Sequence, residues 1–267
     1  MFRSIHRAGA AALGAAVALS IPLAGCGTSG SAGADPGSSA PPASAAADVK
    51  GACASLIRID AVPQPGEGPG APASAAEIKK FGQSVLAPLK DALESRNDAL
   101  AASLKVLEPV AVAAAENGTP IPDDDSVNAA VTEYHRWAHQ NCGYQNVDLM
   151  AVDYAFDRMP ATLKAGPVSL SLMNHSDKGE FHVALILRPN DPDLTTVEQL
   201  LAIPLRELAG RTDVLGTAAA APGMTGGVLL DLKPGRYFVV CPVPVGGDEN
   251  SDDIHMLHGM ASVIEVA

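Results

Sequence analysis

Near the C-terminus the run CPVPVGGDENSDDIHMLHGM places Cys241, His255, His258 and Met260 around a Gly/Asp-rich stretch. A thiolate, imidazoles and a thioether are the donors that a mononuclear electron-transfer copper site needs. Two borderline nitrogens, one soft sulfur and one weak axial sulfur together serve both Cu(I) and Cu(II), and rigid strands limit rearrangement between them. The stretch lacks a second, independent imidazole from another element. His182, at the head of the apolar run His182-Val183-Ala184-Leu185, supplies it from far upstream. The candidate ligand set is therefore His182, Cys241, His255 and Met260. His255 and His258 compete for one position. The four-residue interval to Met260 favours His255, whereas His258 lies two residues from Met260 and would share a strand face with it. Each residue has a plainer role open to it: Cys241 as a buried inert thiol, Met260 as an ordinary core methionine, His182 as a core histidine. Their coincidence in ligand order is what favours copper.

Other chemistry-bearing groups are weaker. His135 and His139 stand four apart on a predicted helix and share a face, with Glu133 or Cys142 as the nearest candidates for a third ligand; a solvated helix face explains them more simply. Asp248, Glu249, Asp252 and Asp253 match no EF-hand spacing, and solvation of a long loop accounts for them. There is no nucleophile elbow, no phosphate-binding glycine loop and no metalloprotease His pair with glutamate. Four protein ligands leave no open coordination position, so the chain is expected not to be an enzyme.

The elements that must position these residues fall into two halves of different period. From residue 75 to 115, Phe81, Val85, Leu89, Leu93, Leu100, Leu104 and Leu107 recur at helical intervals, with Pro88 and Arg96-Asn97-Asp98 able to split the stretch into a hairpin. Asp123–Asp125 and Ser126 suit a further helix start, continued by Val127, Val131, Tyr134 and Ala138 to Cys142. With a segment around Cys53, these predict a small helical bundle over residues 49–145. From Val147 the period shortens. Strands are expected at residues 147–156, 167–174, 181–188, 227–232, 236–241 and 259–266, with one capped helix near residues 195–205 between them. Short strands with turn punctuation predict an antiparallel sandwich or barrel over residues 146–267. The fold class is thus α+β.

Three motifs then carry a family resemblance. Asn174 through Phe181-His182 to Leu185 resembles the cupredoxin segment in which an Asn-containing turn precedes the first His ligand. Pro234-Gly235 through Cys241 resembles the Pro-Gly turn that launches the strand ending at the thiolate. His255 and Met260 keep the H-x4-M spacing of plastocyanin-like members. More widely, Val152–Met260 is similar to the cupredoxin-like domains of exported actinobacterial lipoproteins. The resemblance covers under half the chain and implies a Greek-key β-sandwich but not, by itself, a metal; the expectation of copper as cofactor rests on His182, Cys241, His255 and Met260 standing in ligand order. The sequence departs from the pattern in its thirteen residues between Cys241 and His255, which must loop out. A metal-free scaffold or interaction module of the cell envelope is the alternative within the same fold.

The N-terminus bears on location. Residues 1–25 combine Arg3 and Arg7 with a short apolar run, too short for a membrane span, and read as a signal peptide. Leu23-Ala24-Gly25-Cys26 resembles the bacterial lipobox, in which the cysteine is lipidated. Residues 26–48, rich in Gly, Ser, Ala and Pro, read as a flexible linker. The expected protein is extracytoplasmic and anchored to the membrane through Cys26, with a redox or copper-transfer protein as partner. Without residues 1–25 it holds 16 basic and 30 acidic residues, a balance of about −14, which argues against nucleic acid. Export also permits disulfides. With Cys26 lipidated, three thiols remain; Cys53 and Cys142 bracket the helical half and are paired, leaving Cys241 free.

Overall fold

A computed structural model describes residues 43–65, 73–248 and 251–267. The expected signal peptide, Cys26 and most of the linker lie outside these residues. Among the described residues, no helix is long and apolar enough to cross a membrane.

The N-terminal part is a four-helix unit: α1 (Ala43–Asp60), α2 (Ala75–Glu94), α3 (Asp98–Asn117) and α4 (Asp125–Asn141). The first helix starts six residues before the expected boundary, because Ala43–Asp48 is alanine-rich and alanine is the best helix former. Local chemistry sets the other boundaries. Ser74 and Glu77 form a capping box at the start of α2. Arg96 takes a positive φ of 55°, reversing the chain so that the Asn97 side chain caps α3. The Asp124 carboxylate accepts from the Ser126 and Val127 amides to open α4. The second and third helices pack closely at Gly82, where a Cβ would lie 2.3 Å from the Ala115 backbone nitrogen. A disulfide joins Cys53 on α1 to Cys142 at the C-cap of α4.

The C-terminal part is a sandwich of two sheets. Sheet one runs β2-β1-β4-β7, made of β2 (Ala155–Asp157), β1 (Gln145–Val152), β4 (Gly166–Asn174) and β7 (Thr225–Leu232). Sheet two runs β3-β9-β8-β5-β6, made of β3 (Thr162–Leu163), β9 (Ala261–Val266), β8 (Gly235–Val240), β5 (His182–Pro189) and β6 (Thr212–Ala220). Two pairings correct the expected antiparallel pattern: β1 runs parallel to β4, and β3 parallel to β9. The cause is local. The short strand β2 folds back on β1, and β3 then crosses to sheet two, so the chain re-enters sheet one beside the beginning of β1.

The sixth strand is absent from the sequence expectation. Its run TDVLGTAAA has no aromatic residue, and its Asp213, Gly216 and three closing alanines are poor strand formers, which hides it from propensity. Small residues are required there, because a Cβ on Gly216 would lie 2.7 Å from Val228 Cγ2 and one on Gly226 would lie 2.0 Å from the Ala219 carbonyl oxygen. The expected helix between strands is two short ones, α5 (Val197–Leu201), with a Thr196–Gln199 capping box, and α6 (Leu205–Leu208).

Apolar burial ties these layers together. Between the sheets lie residues such as Leu149, Leu172, Ile186, Val239 and Met260. Phe238 and Val240 point the other way, into a second cluster with Leu200, Leu208, Ile254 and Met256. Strand β8 is therefore buried on both faces, which is why its apolar residues run continuously instead of alternating. In the same way Leu229 of β7 belongs to the helical core, so the bundle covers the outer face of sheet one.

His135 and His139 sit in that contact. His135 Nε2 lies 2.8 Å from Asp60 Oδ2, and His139 Nδ1 lies 3.0 Å from Ser169 Oγ. They form neither a metal pair nor a solvated face, because α4 turns this side onto the sheet. Glu133 pairs with Arg136, and Cys142 is bridged, so neither completes a metal set with them.

Candidate metal centre

His182, Cys241 and His255 come together at one end of the sandwich. His182 is the first residue of β5, Cys241 directly follows β8, and His255 opens a 3-10 turn, His255–His258, just before β9. All three are fully buried, and one donor atom from each lies within 4.8 Å of the others. Cys241 Sγ is 3.5 Å from His255 Nδ1 and 4.0 Å from His182 Nδ1. The two imidazole centroids are 4.8 Å apart.

Each position has a local cause. The turn before His182 is pinned by fully buried Asn174, whose Nδ2 donates to the Glu180 and Ala220 carbonyls at 2.8 Å each. Its Oδ1 accepts from the Ser176 amide at 2.9 Å. The thirteen-residue excursion after Cys241 folds on itself. His255 N donates to Val243 O at 2.9 Å and Val245 N to Asp253 O at 2.8 Å, with a bridge between Pro244 and Ile254. Met256 N then donates to Cys241 O, and Cys241 N to Met260 O, both at 2.9 Å. This ladder returns His255 to the thiol however long the loop tip is. Met260 is fully buried in the same core as Cys241.

His258 is left outside. Its side chain is 42% exposed and its Nε2 contacts Asp253 Oδ1. Both rings pack beside Tyr154, at 5.0 and 5.3 Å between centroids, but only His255 reaches Cys241 Sγ. Asp253 is thus engaged with His258, and Glu249 lies outside the described residues.

Burial sets the protonation states. It lowers the His182 imidazole to about 4, with the neighbouring His255 charge acting the same way. It also lowers His255, against the opposing pull of Glu180. Both rings are therefore neutral near pH 7 and offer lone pairs. Burial pushes the Cys241 thiol up to about 11, partly offset by the backbone amides of Val183 and Val243. The Val183 amide donates to Sγ at 3.3 Å, a bond that would stabilise a thiolate.

The donors fit a metal ion. Bonds of about 2.0 Å to nitrogen and about 2.3 Å to sulfur set donors roughly 3.5–3.8 Å apart around one ion. Here the sulfur-to-nitrogen distances are 3.5 and 4.0 Å. Two imidazoles and one thiolate in a trigonal cluster are the donor set that suits copper. Among the described residues, no other group of His, Cys, Asp and Glu side chains is arranged to hold an ion.

Glu180 is the neighbour of this cluster that sequence patterns do not mark. Its Oε2 lies 2.7 Å from His255 Nε2, and Oε1 accepts from the Tyr154 hydroxyl at 3.1 Å and the Gly246 amide at 3.2 Å. The Tyr154 ring centroid lies 5.0 Å from that of His255, and Lys178 Nζ sits 4.0 Å from the same Tyr154 centroid. A glutamate in a polar turn looks like any solvated acid until the distant loop closes over it.

No family model matches the chain, and no curated protein matches it. Solved structures do. Auracyanin B is 22% identical, covering 46% of this chain and 88% of its own, at a TM-score of 0.31. Auracyanin A, a "blue" copper protein from Chloroflexus aurantiacus, is 18% identical, covering 46% of this chain and 98% of its own, also at 0.31. Copper nitrite reductase from Nitrosomonas europaea is 20% identical, covering 45% and 40%, at 0.26. The helices followed by a two-sheet sandwich give the chain an α+β fold. Multicopper oxidases also stand among the similar structures, beside the nitrite reductase. With these enzymes among the similar structures, the expectation that the chain is not an enzyme is not upheld.

Proposed function

We propose that the protein holds one copper ion between His182, Cys241 and His255, with Met260 as the weak fourth ligand, and serves electron transfer or copper handling. The observation that carries this is the buried convergence of two imidazole Nδ1 atoms on one free thiol. When bound, copper would supply one-electron chemistry between Cu(I) and Cu(II). The chain's part is to keep water out, to hold both rings neutral, and to fix the sulfur with the Val183 amide. Titrating the purified protein with Cu(II) tests it. One equivalent should produce an intense thiolate-to-copper absorption and raise the melting temperature, since a ligand that binds only the folded state stabilises it. A colourless protein with unchanged melting would reject copper and favour a metal-free scaffold of the cell envelope.

The same reading places the protein outside the cytoplasm, tethered by a lipid on Cys26, with a redox or copper-transfer protein as partner. The run Leu23-Ala24-Gly25-Cys26 supports the tether. Cys26→Ser should move the protein from the membrane fraction to the soluble fraction, and the unchanged protein should carry the mass of attached acyl chains. Equal membrane association of both forms would remove the lipid anchor.

A further inference from the structure

The Glu180 carboxylate touches three different parts of the chain. It meets the His255 ring from the C-terminal loop, the Tyr154 hydroxyl beyond β1, and the Gly246 amide of the excursion. Its own backbone is held on both sides, the amide donating to Ser176 Oγ at 3.1 Å and the carbonyl accepting from Asn174 Nδ2 at 2.8 Å. The side chain is only 14% exposed, and neither its Oε2 nor His255 Nε2 has another hydrogen-bonding partner. Burying a carboxylate costs several kcal/mol unless its contacts compensate.

We propose that Glu180 is a positioning residue for the metal centre: it fixes the His255 ring with its proton on Nε2 and biases the bound ion toward Cu(II). This rests on the copper reading above. A neutral imidazole carries one N–H. With the carboxylate 2.7 Å from Nε2, that proton stays on Nε2 and the Nδ1 lone pair is left facing Cys241 Sγ. A carboxylate behind a ligating imidazole also makes it a stronger donor. The added negative charge stabilises the doubly charged ion more than the singly charged one, because the site is dry and its dielectric is low. Glu180 also links the excursion to the centre through Gly246, so the long loop and the ligand it delivers are held by one group.

The test has a metal-free arm and a copper arm, both on the whole protein. In the metal-free protein, nitrogen NMR of His255 should show the proton on Nε2; a proton on Nδ1 overturns the proposal whatever copper does. In the copper arm, Glu180→Gln is compared with Glu265→Gln, which removes an exposed acid paired with Arg236 on β9. Glu180→Gln should weaken Cu(II) binding about 10–100-fold, weaken Cu(I) binding less, and so raise the reduction potential, while Glu265→Gln leaves all three unchanged. Equal losses for both oxidation states, or a potential matching the wild type, would reduce Glu180 to a structural role and overturn the proposal. If the wild type takes up no copper, the copper reading fails and this one fails with it. Wild-type binding that Glu180→Gln leaves unaltered sinks the Glu180 proposal alone.

Discussion

Replacing Cys241 by serine should abolish the thiolate-to-copper absorption and the stabilisation that copper confers on the wild type. At copper a thousandfold above the dissociation constant, binding adds about 4 kcal/mol of stability. For a protein of this size that is roughly 8–16 °C in melting temperature. Serine preserves the shape of the side chain and can still accept from the Val183 amide. It removes the soft, ionisable donor, and a hydroxyl does not replace a thiolate toward Cu(I). The copper-free variant should therefore melt close to the copper-free wild type, and the two should diverge only when copper is added. Calorimetry of both proteins with and without one equivalent of copper reads this directly. A serine variant that still gains several degrees would show that the ion is bound somewhere other than Cys241.

The buried cluster of His182, Cys241 and His255 was legible for a simple chemical reason. Cysteine, histidine and methionine are scarce in this chain, and His182, Cys241, His255 and Met260 occur in an order that few other roles require. The helical hairpin was legible because its breaks are chemical: Asn97 can cap and Gly118 can adopt a positive φ of 65°. What sequence could not show depends on contacts between distant segments. Strand β6 has Gly216 and the alanines Ala218–Ala220 where β7 crosses close to it, so the packing that demands small residues also weakens the strand signal. The choice of His255 over His258 turns on backbone bonds from His255 and Met256 back to Val243 and Cys241, which spacing along the chain does not reveal. The His135 and His139 pair was misread because an amphipathic helix does not announce which neighbour covers it. Glu180 meets His255 and Gly246 only when the excursion folds over it.

Asp60→Ala should be the most destabilising single substitution away from the metal centre, at about 3–5 kcal/mol. Asp60 ends α1 at the contact between bundle and sandwich, with its side chain 6% exposed. Its Oδ1 accepts from the Tyr134 hydroxyl at 2.5 Å, and its Oδ2 lies 2.8 Å from His135 Nε2 and accepts from the Leu229 amide at 2.7 Å. Alanine leaves three buried donors without an acceptor, on both α4 and β7, in a place too closely packed to admit water easily. A Cβ on Gly227 would already lie 2.8 Å from His135 Cβ. Asparagine keeps one acceptor and should cost less, about 1–3 kcal/mol. Because the lost bonds join two layers, the Leu229 amide should exchange with solvent faster by a larger factor than amides inside β5. The copper absorption of the folded variant should persist, since none of the three donors touches His182, Cys241 or His255. Hydrogen exchange at Leu229 together with thermal unfolding of the alanine variant measures both effects. An alanine variant as stable as the wild type, with Leu229 still protected, would mean that the apolar contact around Leu229 holds the bundle to the sheet without Asp60.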